Sequence, residues 1–172
     1  MKNSDSSVIL DASAFYAGIP FLGSMKYYTT TNVFEEIKHI KRSFSILEAL
    51  IDVGNLRISD PESEFIDTAK KIAERTGDLV KMSKADLSIL ALAFELNDSN
   101  PLIVTDDYAV ANVAKFSGIK VSYVMSKGIT KVGKWIRFCR VCGILYKKNE
   151  QQCMICGNRL RSKLKSSQKI AV

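Results

Sequence analysis

Residues 101–124 read PLIVTDDYAVANVAKFSGIKVSYV. Leu102-Ile103-Val104 is an apolar run halted by Asp106 and Asp107, as a strand buried on both faces would be. Tyr108 to Phe116 has helical spacing, and Gly118 closes it. Ile119 to Val124 is apolar again and reads as a strand. Strand, helix and strand in succession predict a parallel sheet covered by helices, the α/β class.

Outward from this unit the theme repeats. Val8-Ile9-Leu10 is a second apolar run, stopped by Asp11. From Asn32 to about Ile51, Val33, Ile37, Ile40, Phe44, Leu47 and Ile51 form one helical stripe. Leu56-Arg57-Ile58 is a short strand after Gly54. Glu64 to Arg75 reads as a helix capped at Gly77, and Ser83 to Asn97 as another. Near Ser126 to Lys134 the alternation breaks and cysteines follow. The expected organisation is an α/β domain at 1–125, a linker at 126–136, a cysteine module at 137–160 and a flexible basic tail at 161–172.

Composition narrows the class. The chain has 172 residues, 47% hydrophobic and 25% charged, which is globular usage. No apolar run approaches the roughly 20 residues that span a bilayer, so no membrane partner is expected. Met1 to Ser7 is polar and lacks a secretory apolar core, so a cytoplasmic protein is expected. Charge is divided unevenly. Residues 1–130 carry 14 Lys and Arg against 17 Asp and Glu, a net of −3. Residues 131–172 carry 11 against the single acid Glu150, a net of +10. A basic end on an acidic body suits a polyanionic partner, most simply nucleic acid; the plainer alternative is a solubilising tail.

All four cysteines lie in residues 139–156, as Cys139-Arg-Val-Cys142 and Cys153-Met-Ile-Cys156. Paired C-x₂-C knuckles fit a tetrahedral Cys₄ zinc site. Disulfides would need an oxidising compartment that nothing here indicates. So short a module cannot bury a core of its own, and a structural Zn²⁺ contributes roughly 10–16 kcal/mol to such a unit. Four thiolates leave no open coordination position, so this metal is structural. Arg137, Arg140, Lys147, Lys148, Arg159 and Arg161 frame the module as candidate RNA-binding residues. Phe138 and Tyr146 offer faces on which bases could stack.

The acids carry the other candidate chemistry. Asp11 and the Asp106-Asp107 pair end strands, and ligands gather outside the carboxyl ends of parallel strands. Glu36 borders the inward stripe of its helix, whereas Glu35 faces outward at the third position of an Asn32 capping box. Asp86 borders the buried side of its own helix. Each has a structural alternative: Asp86 in a capping box with Ser83, Asp106 as an N-cap, Asp11 in a turn. If Asp11, Glu36, Asp86 and Asp107 meet, repulsion decides what accompanies them. Two carboxylates ~5 Å apart cost about 3 kcal/mol at an effective dielectric of 20. Four would need protons or a hard cation, Mg²⁺ or Mn²⁺. Such a cluster suits phosphodiester hydrolysis. His39, the lone histidine, lies on the outward side and reads as a surface residue.

These pieces resemble the PIN-domain ribonuclease family. Val8-Ile-Leu-Asp-Ala-Ser-Ala14 resembles its opening strand, Val33-Phe-Glu-Glu-Ile37 its V-x-x-E-I helix, and Ser83-Lys-Ala-Asp86 and Thr105-Asp-Asp107 its later acidic motifs. The stretch from Ala73 to Leu87, with Ile89 to Leu96 and Thr105 to Val113, is similar to the ribosome-biogenesis branch of that family. So is a C-terminal zinc ribbon following the PIN domain, as in the compact archaeal form. The resemblance covers about residues 8–160 and implies a Rossmann-like PIN fold, a sheet sandwiched by helices. It implies metal binding and catalysis by Asp11, Glu36, Asp86 and Asp107, with Mn²⁺ or Mg²⁺; Asp106, at a variable position, is a subsidiary cofactor-binding candidate. It implies a metal-dependent endonuclease for single-stranded RNA, acting on precursor small-subunit rRNA at its 3′ end within the pre-ribosomal small subunit. The alternatives are a VapC-like toxin ribonuclease and a non-catalytic RNA-binding assembly factor. Residues 41–63 match none of these motifs.

Overall fold

The computed structural model of the chain describes residues 7–18, 27–39, 44–129, 131–146 and 150–169. Five short strands, β1 (Val8–Leu10), β2 (Tyr27–Thr29), β3 (Leu56–Ile58), β4 (Leu102–Val104) and β5 (Lys120–Ser122), form one parallel sheet in the order β3-β2-β1-β4-β5. The central β1 is buried along its whole length, which is why it has no polar residue before Asp11. Chain direction across the sheet reverses at the β1–β4 boundary, and a crevice outside the carboxyl ends opens at such a switch point. Asp11 follows β1, and Thr105, Asp106 and Asp107 follow β4.

Helices cover the sheet: α1 (Ala12–Tyr16), α2 (Thr31–Ile37), α3 (Phe44–Asp52), α4 (Ser63–Thr76), α5 (Lys84–Glu95) and α6 (Tyr108–Phe116). In α5 the run from Ser88 to Ala93 is buried, so this helix is apolar nearly all round and lies in the middle of the core. Gly77 closes α4 in the left-handed conformation at φ 79°. The stripe expected as one helix from Asn32 to Ile51 belongs to two, α2 and α3; Ile40 lies outside the described residues. The N-cap also differs from expectation. Thr30, whose hydroxyl accepts from the Val33 amide, starts α2, and Glu35 instead pairs with Lys38.

A second, antiparallel sheet has the order β7-β6-β8, from β6 (Lys131–Phe138), β7 (Leu145–Tyr146) and β8 (Arg161–Lys169). It replaces much of the linker expected at 126–136 and all but the last three residues of the flexible tail expected at 161–172. Trp135 pairs with Leu164 and Phe138 with Arg161 across the ladder. The partner for the basic strand is supplied by β6, about 30 residues earlier, so local composition alone reads as disorder.

β6 is fastened to the body of the protein. Buried Asn112 of α6 donates to the Gly133 carbonyl (3.0 Å) and accepts from the Gly133 amide (3.1 Å). Its Nδ2 also donates to buried Asp78 at 2.6 Å. Losing that side chain would orphan buried groups at about 1–3 kcal/mol each. β6 also crosses close over the end of α4: a Cβ on Gly77 would stand 2.8 Å from the Trp135 carbonyl oxygen. Among the described residues no helix is long and apolar enough to cross a membrane.

Candidate active site and cysteine centre

Asp11 sits at the β1–β4 switch point, buried, with both carboxylate oxygens engaged. One accepts from the Ala12 amide at 2.7 Å; the other accepts from the Thr105 hydroxyl at 2.6 Å and from Ser13 at 3.3 Å. The Thr105 hydroxyl in turn accepts from the Asp107 amide at 3.0 Å, so one hydroxyl bridges the two strand ends. Sequence reading had not singled out Thr105 or Ser13; the Thr-x-Asp spacing was the available signal.

Glu36 and Asp86 come from two other elements, α2 and α5. Their helices are tied by a buried contact of 2.6 Å between the Thr30 and Ser88 hydroxyls. Asp86 does form the capping box with Ser83, accepting from its amide at 2.7 Å. That structural role does not remove its charge from the crevice. Burial pushes the Asp11 carboxyl above its ordinary value, the hydrogen bonds from Thr105 and Ala12 oppose the rise, and the Asp86 charge adds to it. Burial likewise raises Glu36, helped by the charges of Asp86 and then Asp11. Three acids from three elements therefore lie near enough for their charges to act on one another. Asp107 is linked to Asp11 through its backbone amide, which donates to Thr105, while its exposed side chain caps α6, Oδ1 accepting from Ala109 and Val110.

Asp106 does something different. Its oxygens accept from the amides of Val124, Met125 and Ser126 at 3.0–3.2 Å. Burial would raise its carboxyl, but these amides outweigh it and hold it below its ordinary value. It fastens the segment after β5, and Asp107 takes the N-cap position considered for it. His39 is exposed and lies beyond the end of α2.

The raised carboxyls have a consequence for stability. The folded protein holds these protons more tightly than the unfolded chain, so each contribution is fully present below the ordinary carboxylate range and is lost as pH rises through the folded value. Without divalent metal, Asp11→Asn should melt above wild type at pH 7, and the gap should close as pH falls toward the carboxylate range. Calorimetric melting curves across that window check it; a gap that does not change with pH contradicts the repulsion.

Among the described residues the four cysteines are the group whose ligand atoms already lie close enough together to hold a metal ion; no three of the Asp11, Glu36, Asp86 and Asp107 carboxylates are drawn in to that distance. All four sulfurs are within 4.8 Å of one another, and none forms a disulfide. Tetrahedral zinc with Zn–S near 2.3 Å places sulfurs about 3.8 Å apart, so the donor set fits. Cys139 and Cys156 sulfurs are already 3.5 Å apart. Protons divide unevenly over the cluster. Cys153 is pulled down to about 6, first by the Tyr146 hydroxyl; Cys142 is pushed up to about 12, first by its hydrogen bond with Cys156. A dication would draw off the remaining protons.

Tyr146, expected as a stacking face, instead donates its hydroxyl to the Cys153 sulfur at 3.1 Å and accepts from the Met154 amide at 2.9 Å. The Phe138 ring carries Lys163 4.8 Å from its centroid. Arg140, Arg159 and Arg161 line a cavity of about 630 Å³ beside the knuckles, and Arg137 lies half-buried in β6. Lys147 and Lys148 lie outside the described residues.

Comparison with known proteins follows the same lines. A family model described as the PIN domain of ribonuclease matches residues 8–96, a span that holds Asp11, Glu36 and Asp86. The chain is 36% identical to the endoribonuclease Nob1 of Pyrococcus abyssi over 156 residues, 90% of this chain and 91% of that one. It is 31% identical to the ribonuclease VapC1 of Thermoplasma acidophilum over 131 residues, 76% of this chain and 64% of that one. Over 73 residues it is 37% identical to the 20S-pre-rRNA D-site endonuclease NOB1 of Saccharomyces cerevisiae, 42% of this chain and 16% of that one.

Proposed function

The chain belongs to the PIN-domain endoribonucleases, and from that premise we propose that it matures the 3′ end of precursor small-subunit rRNA in a reaction dependent on Mn²⁺ or Mg²⁺. The observation that carries the chemistry is the mutual electrostatic influence of Asp11, Glu36 and Asp86 at the sheet's switch point. The pre-rRNA substrate rests on the yeast relative's name and on the appended basic module.

Asp11, Glu36, Asp86 and Asp107 are the residues that would hold the catalytic cation. A divalent cation there supplies charge stabilisation and a lowered pKa for water. Thr105 and Ser13 keep Asp11 aimed into the crevice by donating to its Oδ2. The acids would balance the charge of a cation held there. Water adds to phosphorus and the ribose 3′ oxygen leaves, giving 3′-hydroxyl and 5′-phosphate ends. The Cys₄ cluster would hold structural Zn²⁺, and Arg137, Arg140, Arg159 and Arg161 would grip phosphates, with Lys147 and Lys148 proposed beside them on sequence grounds. Affinity should therefore fall steeply with salt.

The test is cleavage-site mapping on an RNA fragment spanning the small-subunit rRNA 3′ end, with each metal in turn. One dominant cut bearing those ends is expected. Absence of cutting with either metal, with RNA still bound, would favour a non-catalytic assembly factor. Efficient cutting elsewhere, but not at the rRNA end, would favour the toxin-like reading that the VapC1 similarity keeps open.

A further inference from the structure

The cleavage chemistry leaves one cavity without a task. It lies where the second sheet meets the body, encloses about 370 Å³, and is lined by Lys81, Asp107, Tyr108, Lys131, Trp135 and Leu164, among others. That volume suits a single small ligand. Its opening carries two aromatic rings at the surface, Tyr108 at 57% exposure and Trp135 at 36%. The Lys81 ammonium stands 4.4 Å from the Trp135 ring centroid and covers one indole face. Tyr108, the more exposed ring and free of that cation, is the residue next to Asp107. Lys131, exposed on β6, adds a second positive charge. Underneath, the Asp78–Asn112–Gly133 hydrogen bonds fix the floor, so little ordering is left to a ligand.

An exposed ring and two lysines thus line one cavity, and its two carboxylates are already engaged, Asp78 by Asn112 and Asp107 by the amides that start α6; single-stranded nucleic acid uses this pairing, bases on rings and phosphates on cations. We propose that this cavity is a nucleotide subsite: it takes one ribonucleotide adjacent to the scissile linkage, its base stacked on Tyr108 and its phosphate between Lys81 and Lys131. The inference rests on the RNA-cleaving function proposed above and adds where the neighbouring nucleotide goes. Tyr108 and Lys81 come from the body whereas Lys131 and Trp135 come from β6. The subsite is thus complete only when the appended sheet is docked, which gives the Asn112 fastening a functional consequence.

The experiment reads binding, without added divalent cation, so it does not depend on cleavage. Fluorescence anisotropy is followed with a fluorescein-labelled single-stranded RNA in which each nucleotide in turn is replaced by an abasic ribose. With wild type, one position within two nucleotides of the mapped cut should lose about tenfold in affinity. Tyr108→Ala should lose a similar factor on the intact strand and lose little more on the abasic one, while Tyr108→Phe should bind as wild type. Lys131→Gln should flatten the slope of log affinity against log salt by about 0.7. The subsite is overturned if Tyr108→Ala binds the intact strand like wild type, or if its loss multiplies with the abasic loss at every position. A protein that cuts RNA normally and shows either of these results loses the subsite but keeps the nuclease reading. One that shows the Tyr108 coupling but never cuts keeps a nucleotide-binding cavity and loses both its place beside a scissile linkage and the cleavage reading.

Discussion

Asp107→Asn should bind RNA as tightly as wild type or more tightly, yet cut it at least about 100-fold more slowly with Mn²⁺. The substitution isolates charge from structure. Asp107 Oδ1 caps α6 by accepting from Ala109 and Val110, and asparagine caps a helix about as well as aspartate. Its backbone amide, which donates to Thr105, is untouched. On the proposed reading, what would disappear is one negative charge facing a polyanion, so the repulsion met by RNA would fall while a ligand for the cation would be lost. Single-turnover cleavage and anisotropy on the same oligonucleotide separate the two effects. Unchanged cleavage would remove Asp107 from the site.

The second large effect concerns the cysteines. We expect about one zinc per chain by elemental analysis, and a value near zero in Cys153→Ser. Cys139 and Cys153 are buried beside Leu160, with Cys142 and Tyr146 packed against them, and among the described residues this small cluster is the apolar interior of the module. Without metal so small a core cannot offset the chain entropy of its knuckles. Loss of zinc therefore removes roughly 10–16 kcal/mol of folding free energy from that unit. The parallel sheet has its own separate core and should stay folded. Chelator should thus open residues 139–157 to protease while far-ultraviolet dichroism of the body persists. Zinc near zero in wild type, or a ribbon indifferent to chelator, contradicts the assignment.

Much of this was readable in sequence, for physical reasons. β1 and β4 announce themselves because buried parallel strands tolerate no polar residue, and their acids mark where they emerge. The C-x₂-C pairs are legible because tetrahedral thiolate geometry fixes their spacing. β2 was missed: Tyr27-Tyr28-Thr29 is short and has no apolar run. β6 and β8 were missed because each needs the other, and pairing across an intervening module leaves no local trace. Of the Asn32–Ile51 stripe, Val33, Ile37 and Leu47 are buried, but the spacing did not reveal the break between α2 and α3. Among the acids, periodicity favoured Glu36 over Glu35; both are exposed in the structure, and Glu35 pairs with Lys38. Asp106 resembled its neighbour in sequence, and only the amides after β5 distinguish the two. Tyr146 read as a base platform because nothing in a sequence says that a hydroxyl will meet a thiol.

The central claim is that acids from separate elements share a divalent cation. It is tested most directly by titrating Mn²⁺ into the zinc-loaded protein at pH 7 and following the paramagnetic resonance of free Mn²⁺. Wild type should withdraw Mn²⁺ from the free pool, and Asp11→Asn should withdraw far less. Superimposable titrations of the two proteins would contradict the claim.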